Sequence, residues 1–224
     1  MARLMHPTRS VSIATAEGAT VAGDLTVLPD STALVVFAHG SGSGRHSARN
    51  RAVAEFLNHA RLGTLLLDLL TESEGAEDEL TAKWRFDIPL LTERVVAAID
   101  WAASNETSHL PVGLFGASTG AAAALAAAAQ RPTVQAVVSR GGRPDLAGDA
   151  LRHVSAPTLL IVGSLDEPVI ELNREALVKL GTERQLELVP GASHLFEEPG
   201  AMQIVAQLAA DWFAHYLGKQ HLIR

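Results

Sequence analysis

Along the chain, short unbroken apolar runs alternate with longer segments whose apolar residues recur every three or four positions. The unbroken runs are ALVVFA (33–38), GTLLLDLL (63–70), PVGLF (111–115), VQAVVS (134–139), APTLLIVG (156–163) and LELVP (186–190). Such runs suit strands covered on both faces, as in a parallel sheet. Ahead of them, VSIATAEGATVAGDLTVLP alternates about a Gly-containing turn, which predicts an antiparallel pair. The intervening segments carry helical spacing. SARNRAVAEFLNHARL sets Val53, Phe56, Leu57 and Ala60 on one side, and FDIPLLTERVVAAIDWAAS does the same with Leu91, Val95, Ala98 and Ile99. IELNREALVKL and PGAMQIVAQLAADWFAHYL follow the pattern. Strands and helices alternating with short joins predict a three-layer α/β fold, a mostly parallel sheet with helices on both faces. No repeat and no Pro/Gly/Ser-rich linker interrupts it, so residues 1–224 read as one domain.

In such a sheet the loops beyond the carboxyl ends of the strands form the ligand crevice. Four of these loops stand out: HGSGSGRHS after 33–38, GASTG after 111–115, GSLDEPV after 156–162 and PGASHLF after 186–190. In chain order they supply a glycine-rich loop, a serine, an aspartate and a histidine. A serine hydroxyl attacks well only when a base takes its proton; histidine suits that role near neutrality, and a carboxylate fixes its tautomer. Ser118 lies in Gly116-Ala117-Ser118-Thr119-Gly120, a G-x-S-x-G turn between a predicted strand and an alanine-rich helix. That context is the one in which a nucleophilic serine is lifted clear of the backbone. The bland reading of Ser118 is a helix N-cap, its oxygen accepting a free N–H of the first turn. For the acid, Asp166 is preferred over Glu167 as the earlier residue after the Gly-Ser turn. For the base, His194 alone of nine histidines sits in the expected late loop, and the other eight show no shared ligand spacing.

The stretch from His39 to Gly44 reads either as a phosphate cradle or as one wall of an oxyanion hole. It completes neither glycine-rich nucleotide fingerprint, since Arg45 stands where G-x-G-x-x-G needs its last glycine. The oxyanion reading aims the backbone N–H groups of Ser41 and Thr119 at one point and leaves His39 as an anchor of the loop.

Composition narrows the class. Hydrophobic residues make up 47% and charged residues 19% of the chain, the balance of a globular protein rather than a disordered one. A net charge of −7 without any Lys/Arg run argues against nucleic acid or an anionic membrane as partner. The absence of cysteine removes disulfides, thiolate metal sites and a cysteine nucleophile. The N-terminal stretch MARLMHPTRSVSIATAEG lacks the apolar core of a secretory leader, so a cytoplasmic location is expected.

The pieces FAHGSGSGRHSARNRAVAEFL, LLLDLLTESE, LFGASTGAAAAL, AVVSRGGRPDLAG, APTLLIVGSLDEPVIELN and VPGASHLFEEPG resemble the dienelactone hydrolase-like branch of the α/β-hydrolase superfamily. The resemblance implies a serine hydrolase whose triad maps onto Ser118, Asp166 and His194. It acts on a small ester or lactone, with no metal and no cofactor. The namesake of the branch uses a cysteine nucleophile where this chain has Ser118. Relatives of the branch also occur joined to a phosphoribosyltransferase domain, which is not expected within these residues. An acyltransferase, a small peptidase or a non-catalytic binding protein would share the same frame, and a homo-oligomer stays open. Arg45, Arg140 and Arg143 lie in segments that should approach the crevice, where a guanidinium can hold a substrate carboxylate bidentately. The alternative is that they tie loops together through Asp68, Glu72 or Asp145. Large lipases carry a helical cap between the strands that correspond to 136–139 and 156–160. Here residues 140–155 allow only a turn and about two to three helical turns, so no large cap is expected.

Overall fold

The structure is a computed structural model that describes residues 7–218. Residues 1–6 and 219–224, which include His6, His221 and the start of the stretch read for a leader, lie outside the described residues. The eight strands are β1 (Thr8–Ala14), β2 (Thr20–Thr26), β3 (Ala33–Ala38), β4 (Leu62–Leu67), β5 (Val112–Ala117), β6 (Val134–Arg140), β7 (Thr158–Gly163) and β8 (Arg184–Val189). They form one sheet in the order β1-β2-β4-β3-β5-β6-β7-β8. β1 and β2 are the predicted antiparallel pair, β2 meets β4 antiparallel, and every later pairing is parallel.

Every residue of β3, β4, β5 and β7 is buried, which is why these strands read as unbroken apolar runs rather than alternating ones. β8 departs from that expectation. It is the last strand of the sheet, and only Val189 of its six residues is buried. Six helices are α1 (Ala48–His59), α2 (Glu72–Thr81), α3 (Ile88–Ser104), α4 (Thr119–Gln130), α5 (Glu167–Lys179) and α6 (Ala201–Leu217). α3, α4 and α5 pack on one face of the sheet and α1 and α6 on the other, giving two apolar layers. Leu91, Val95, Ala98 and Ile99 of α3 are buried as their spacing predicts. Ala60 is not, because α1 ends at His59 and Ala60 caps it in the open.

Residues 140–155 contain only a 3-10 segment, Pro144–His153, broken at Gly148, so no large cap covers the sheet. The helix that hydrophobic periodicity does not announce is α2. Its one buried residue is Asp78, and Leu80 is 89% exposed, so no apolar stripe marks it. Its signal is chemical. The Thr71 hydroxyl accepts the Glu74 N–H while the Glu74 carboxylate accepts the Thr71 N–H, a capping box that starts the helix. Glu74 then reaches Arg94 of α3, a residue 1% exposed, whose guanidinium also donates to Thr15 and pairs with Glu93.

Arg94 thus fastens α2 and the β1–β2 turn to α3. Replacing it with Met would leave Glu74 and Glu93 partly buried without a counter-charge, and removing one member of a buried ion pair costs about 3 kcal/mol. Urea denaturation of Arg94→Met should show a loss of that order, whereas a loss under about 0.5 kcal/mol, the level of a surface substitution, would contradict the role given to Arg94.

Candidate active site

The turn from β5 into α4 is made by a single residue. Ser118 has φ 50° and ψ −122°, a left-handed backbone that side chains other than glycine rarely adopt. Neighbouring β6 holds this strain: the Ser118 N–H donates to the Arg140 carbonyl at 3.2 Å, and the Ser118 carbonyl accepts the Ala121 and Arg143 N–H groups, each at 3.1 Å. The flanking glycines are required by close approach. A Cβ on Gly116 would lie 2.4 Å from Ala121 Cα, and one on Gly120 would lie 2.3 Å from the His39 carbonyl oxygen of the β3 loop. Although Ser118 stands at the N-cap position, its side chain makes no capping bond. Among the described residues its Oγ has no hydrogen-bond partner, so the cap reading fails.

The loops that carry Asp166 and His194 press together in the same way. A Cβ on Gly163, at the end of β7, would lie 2.3 Å from the Ala192 carbonyl oxygen of the histidine loop. Across this contact Asp166 Oδ2 accepts from His194 Nδ1 at 2.6 Å. Glu167, the competing acid, is exposed in the first turn of α5. The His194 side chain is 40% exposed. Two residues that the sequence did not flag shape its loop. Glu198 accepts the Ser193 N–H at 3.0 Å, and hydrogen bonding, from the Ser193 side chain first and then from the backbone N–H groups of Glu198 and Ser193, holds its carboxyl below the usual carboxylate range. Phe196, with φ 55°, is buried beneath the loop. Nothing in residue type or spacing separates either from its neighbours in SHLFEEPG.

On the other side of Ser118, the loop after β3 is fixed by His39. The neutral ring donates Nδ1–H to the Gly40 carbonyl at 2.8 Å and accepts the Leu69 N–H at Nε2, at 3.0 Å. The Ser41 and Thr119 hydroxyls bond at 3.0 Å, bringing the two loops together. The Ser41 and Thr119 backbone N–H groups donate to nothing among the described residues. A pocket of about 900 Å³ opens next to them, lined by Ser41, Thr119, Asp68, Thr71, Asp78 and Arg85 among others.

The three arginines divide. Arg45 is tied to Asp68 and to Asp24, and Arg143 makes a bidentate pair with Asp145 at 2.8 and 2.9 Å. Arg140 has no such partner. No group of three His, Asp or Glu side chains among the described residues is arranged to hold a metal ion.

A mostly parallel sheet of this order, with the serine turn after its central strand, defines an enzyme of the α/β-hydrolase class. The sequence profile of the dienelactone hydrolase family matches residues 72–217, and the chain belongs to that family. Its backbone is similar to a dienelactone hydrolase from Anabaena variabilis ATCC 29413, with TM-score 0.92 and 58% identity over 94% of this chain and 98% of that one. The esterase domain of a Rhodothermus marinus protein shares the fold at TM-score 0.74 and 20% identity, covering 95% of this chain and all of that domain (100%). A Mycobacterium tuberculosis (strain ATCC 25618 / H37Rv) protein named "Putative phosphoribosyl transferase Rv0571c" is 57% identical over 199 residues, 88% of this chain. The chain spans 44% of the length of that relative. No helix among the described residues is long and apolar enough to cross a membrane.

Burial lowers the pKa of His39, so the ring stays neutral in the folded protein. In the unfolded chain it takes up a proton below about pH 6.5. The unfolded state then binds more protons, and stability falls as pH drops, by up to about 1.4 kcal/mol per pH unit. Thermal unfolding of His39→Gln at pH 7.5 and 5.5 should therefore show a smaller acid-induced drop in Tm than wild type. Equal drops would mean that His39 is protonated when folded.

Proposed function

We propose that this hydrolase cleaves small carboxylic esters or lactones through an acyl-enzyme formed on Ser118. The observation that carries the reading is a strained, uncapped serine set between the His194–Asp166 pair and two undonated backbone N–H groups, Ser41 on the loop after β3 and Thr119 at the start of α4. In this mechanism Ser118 Oγ adds to the substrate carbonyl carbon and its proton passes to His194 Nε2. Asp166, bonded at Nδ1, holds the imidazole in the required tautomer and stabilises the imidazolium. The Ser41 and Thr119 N–H groups donate to the oxyanion of the tetrahedral intermediate. Collapse expels the alcohol, which takes its proton from His194. Water, deprotonated by His194, then attacks the acyl carbon and releases the acid and Ser118. Ser118 Oγ and His194 share no hydrogen bond in the unliganded site, and such contacts commonly tighten only when substrate is bound.

Ser118→Ala should fold normally and lose about four to six orders of magnitude in kcat for p-nitrophenyl acetate, since a triad works as a unit. Asp166→Asn should lose about four orders, by leaving His194 in the wrong tautomer, while Glu167→Gln stays within a few-fold of wild type. Stopped assays on purified variants check this, and comparable losses at 166 and 167 would place the acid elsewhere.

Chain-length preference follows from the missing cap. Burial of a methylene is worth roughly 0.8 kcal/mol, and with only a short 3-10 segment where a large cap would be inserted, a long acyl chain has little to bury against. Across p-nitrophenyl esters below their micelle concentrations, kcat/KM should peak at short acyl groups of about two to four carbons, because the gain per added methylene is not realised there. A steady rise up to palmitate would require an apolar channel and overturn the open-site reading.

A further inference from the structure

Asn173 lies about two turns along α5 from Asp166 and is fully buried, an unusual place for an amide. Such a side chain has two N–H donors and a carbonyl acceptor to satisfy. Nδ2 donates to two carbonyls, that of Val169 one turn back at 2.8 Å and that of Gly142, on the loop after β6, at 3.0 Å. Oδ1 is shut off from solvent with no partner. An apolar side chain would avoid that orphaned acceptor, whose burial costs free energy. The Val169 bond does not account for the amide, because a helix already supplies that carbonyl with the backbone N–H four residues on. The Gly142 carbonyl is the partner that only the side chain reaches.

Gly142 belongs to a short bridge, residues 141–143, that touches both reacting side chains' supports. A Cβ on Gly142 would lie 2.0 Å from Ser139 Oγ and 2.6 Å from Ala121 Cβ, so its backbone is wedged between β6 and α4. On one side of it Gly141, with φ 50°, donates its N–H to the Ile161 carbonyl at 2.7 Å. A Cβ on Gly141 would lie 3.2 Å from the His194 carbonyl oxygen and 3.7 Å from Cε1 of its ring, so this glycine packs against the base. On the other side the Arg143 N–H donates to the Ser118 carbonyl at 3.1 Å. One end of the bridge therefore meets His194 and the other holds the serine turn, with the Asn173 bond at its centre.

We propose that Asn173 is a positioning residue of the triad, fixing through the Gly142 carbonyl the bridge that sets Ser118 against His194. This role presupposes the acyl-enzyme reading and adds to it a residue that never meets substrate. α5 then serves the site twice: Asp166 at its start orients the base, and Asn173 two turns on fixes the spacing between base and nucleophile. The Ser118–His194 hydrogen bond has to form when substrate arrives, and a misplacement of roughly 1 Å in such a pair costs about 100-fold in rate.

Two variants test it. Asn173→Leu keeps the branched shape of the amide without its donors. Asn173→Ser keeps a hydroxyl that can bond back to the Val169 carbonyl but is too short to reach Gly142, and it serves if Asn173→Leu does not fold. With p-nitrophenyl acetate, well below the Tm of each protein, kcat should fall about 10- to 100-fold while KM stays within about two-fold. Labelling of Ser118 by a fluorophosphonate should slow by a similar factor. An amide that served stability alone would lower Tm and leave both rates of the folded enzyme unchanged. Rates within about two-fold of wild type in the folded variants therefore overturn the positioning role and leave the hydrolase reading intact. If the wild type cleaves no ester, that reading fails and hydrogen exchange reads the bridge directly. The Arg143 amide should then lose about tenfold or more of its protection in Asn173→Leu or Asn173→Ser while the amides of β7 keep theirs, and unchanged protection at Arg143 overturns the proposal.

Discussion

The reversal of the chain at Ser118 is the constraint on which the rest of the molecule depends. β5 must end and α4 begin with one residue between them, and that residue holds a positive φ at a cost of about 1–3 kcal/mol. The turn survives because β6 holds its N–H, because Arg143 beyond β6 and Ala121 of α4 hold its carbonyl, and because α4 is drawn against the β3 loop until Gly120 nearly touches the His39 carbonyl. A helix this close to a sheet has no room for large side chains. Every residue from 119 to 128 is buried, and eight of these ten are Ala or Gly (Gly120–Ala124 and Ala126–Ala128). The alanine run is therefore a packing consequence of the serine turn.

Around that turn, close backbone contacts do the positioning and side-chain bonds set the chemistry. Gly163 lets the β7 loop meet the histidine loop, and only then can Asp166 reach His194. His39 ties the β3 loop to Leu69, which keeps Ser41 beside Thr119. The capping box of α2 and its tie to Arg94 hold the wall of the neighbouring pocket.

Charge pairing separates scaffold from site. Arg45, Arg94, Arg131 and Arg143 each find a carboxylate of this chain, and these pairs join loops or helices. Arg140 finds none among the described residues, although the chain carries 25 acidic residues against 18 basic ones. With acids in excess, an unpaired buried cation on β6 is not a shortage of acidic residues in the chain.

The amino-acid order by itself determined the layered α/β architecture, because strands buried on both faces must be apolar throughout and their helices must carry one apolar stripe. It also determined the serine turn, since only small residues fit at 116 and 120, and the succession of serine, acid and histidine at strand ends. Its reach stopped where partners are chosen through space. α2 has no buried apolar face, so periodicity is blind to it and only the Thr71–Glu74 box marks it. Ala60 fell outside its helix because chain reversal, not spacing, ended α1. The choice of Asp166 over Glu167 rests on which carboxylate the Gly163 contact turns toward His194. Which arginine stays free is likewise a matter of distance, since charge pairs form between residues 23 apart, as in Arg45–Asp68, or two apart, as in Arg143–Asp145. Sequence fixes which groups can pair, but only the folded chain brings particular ones within reach.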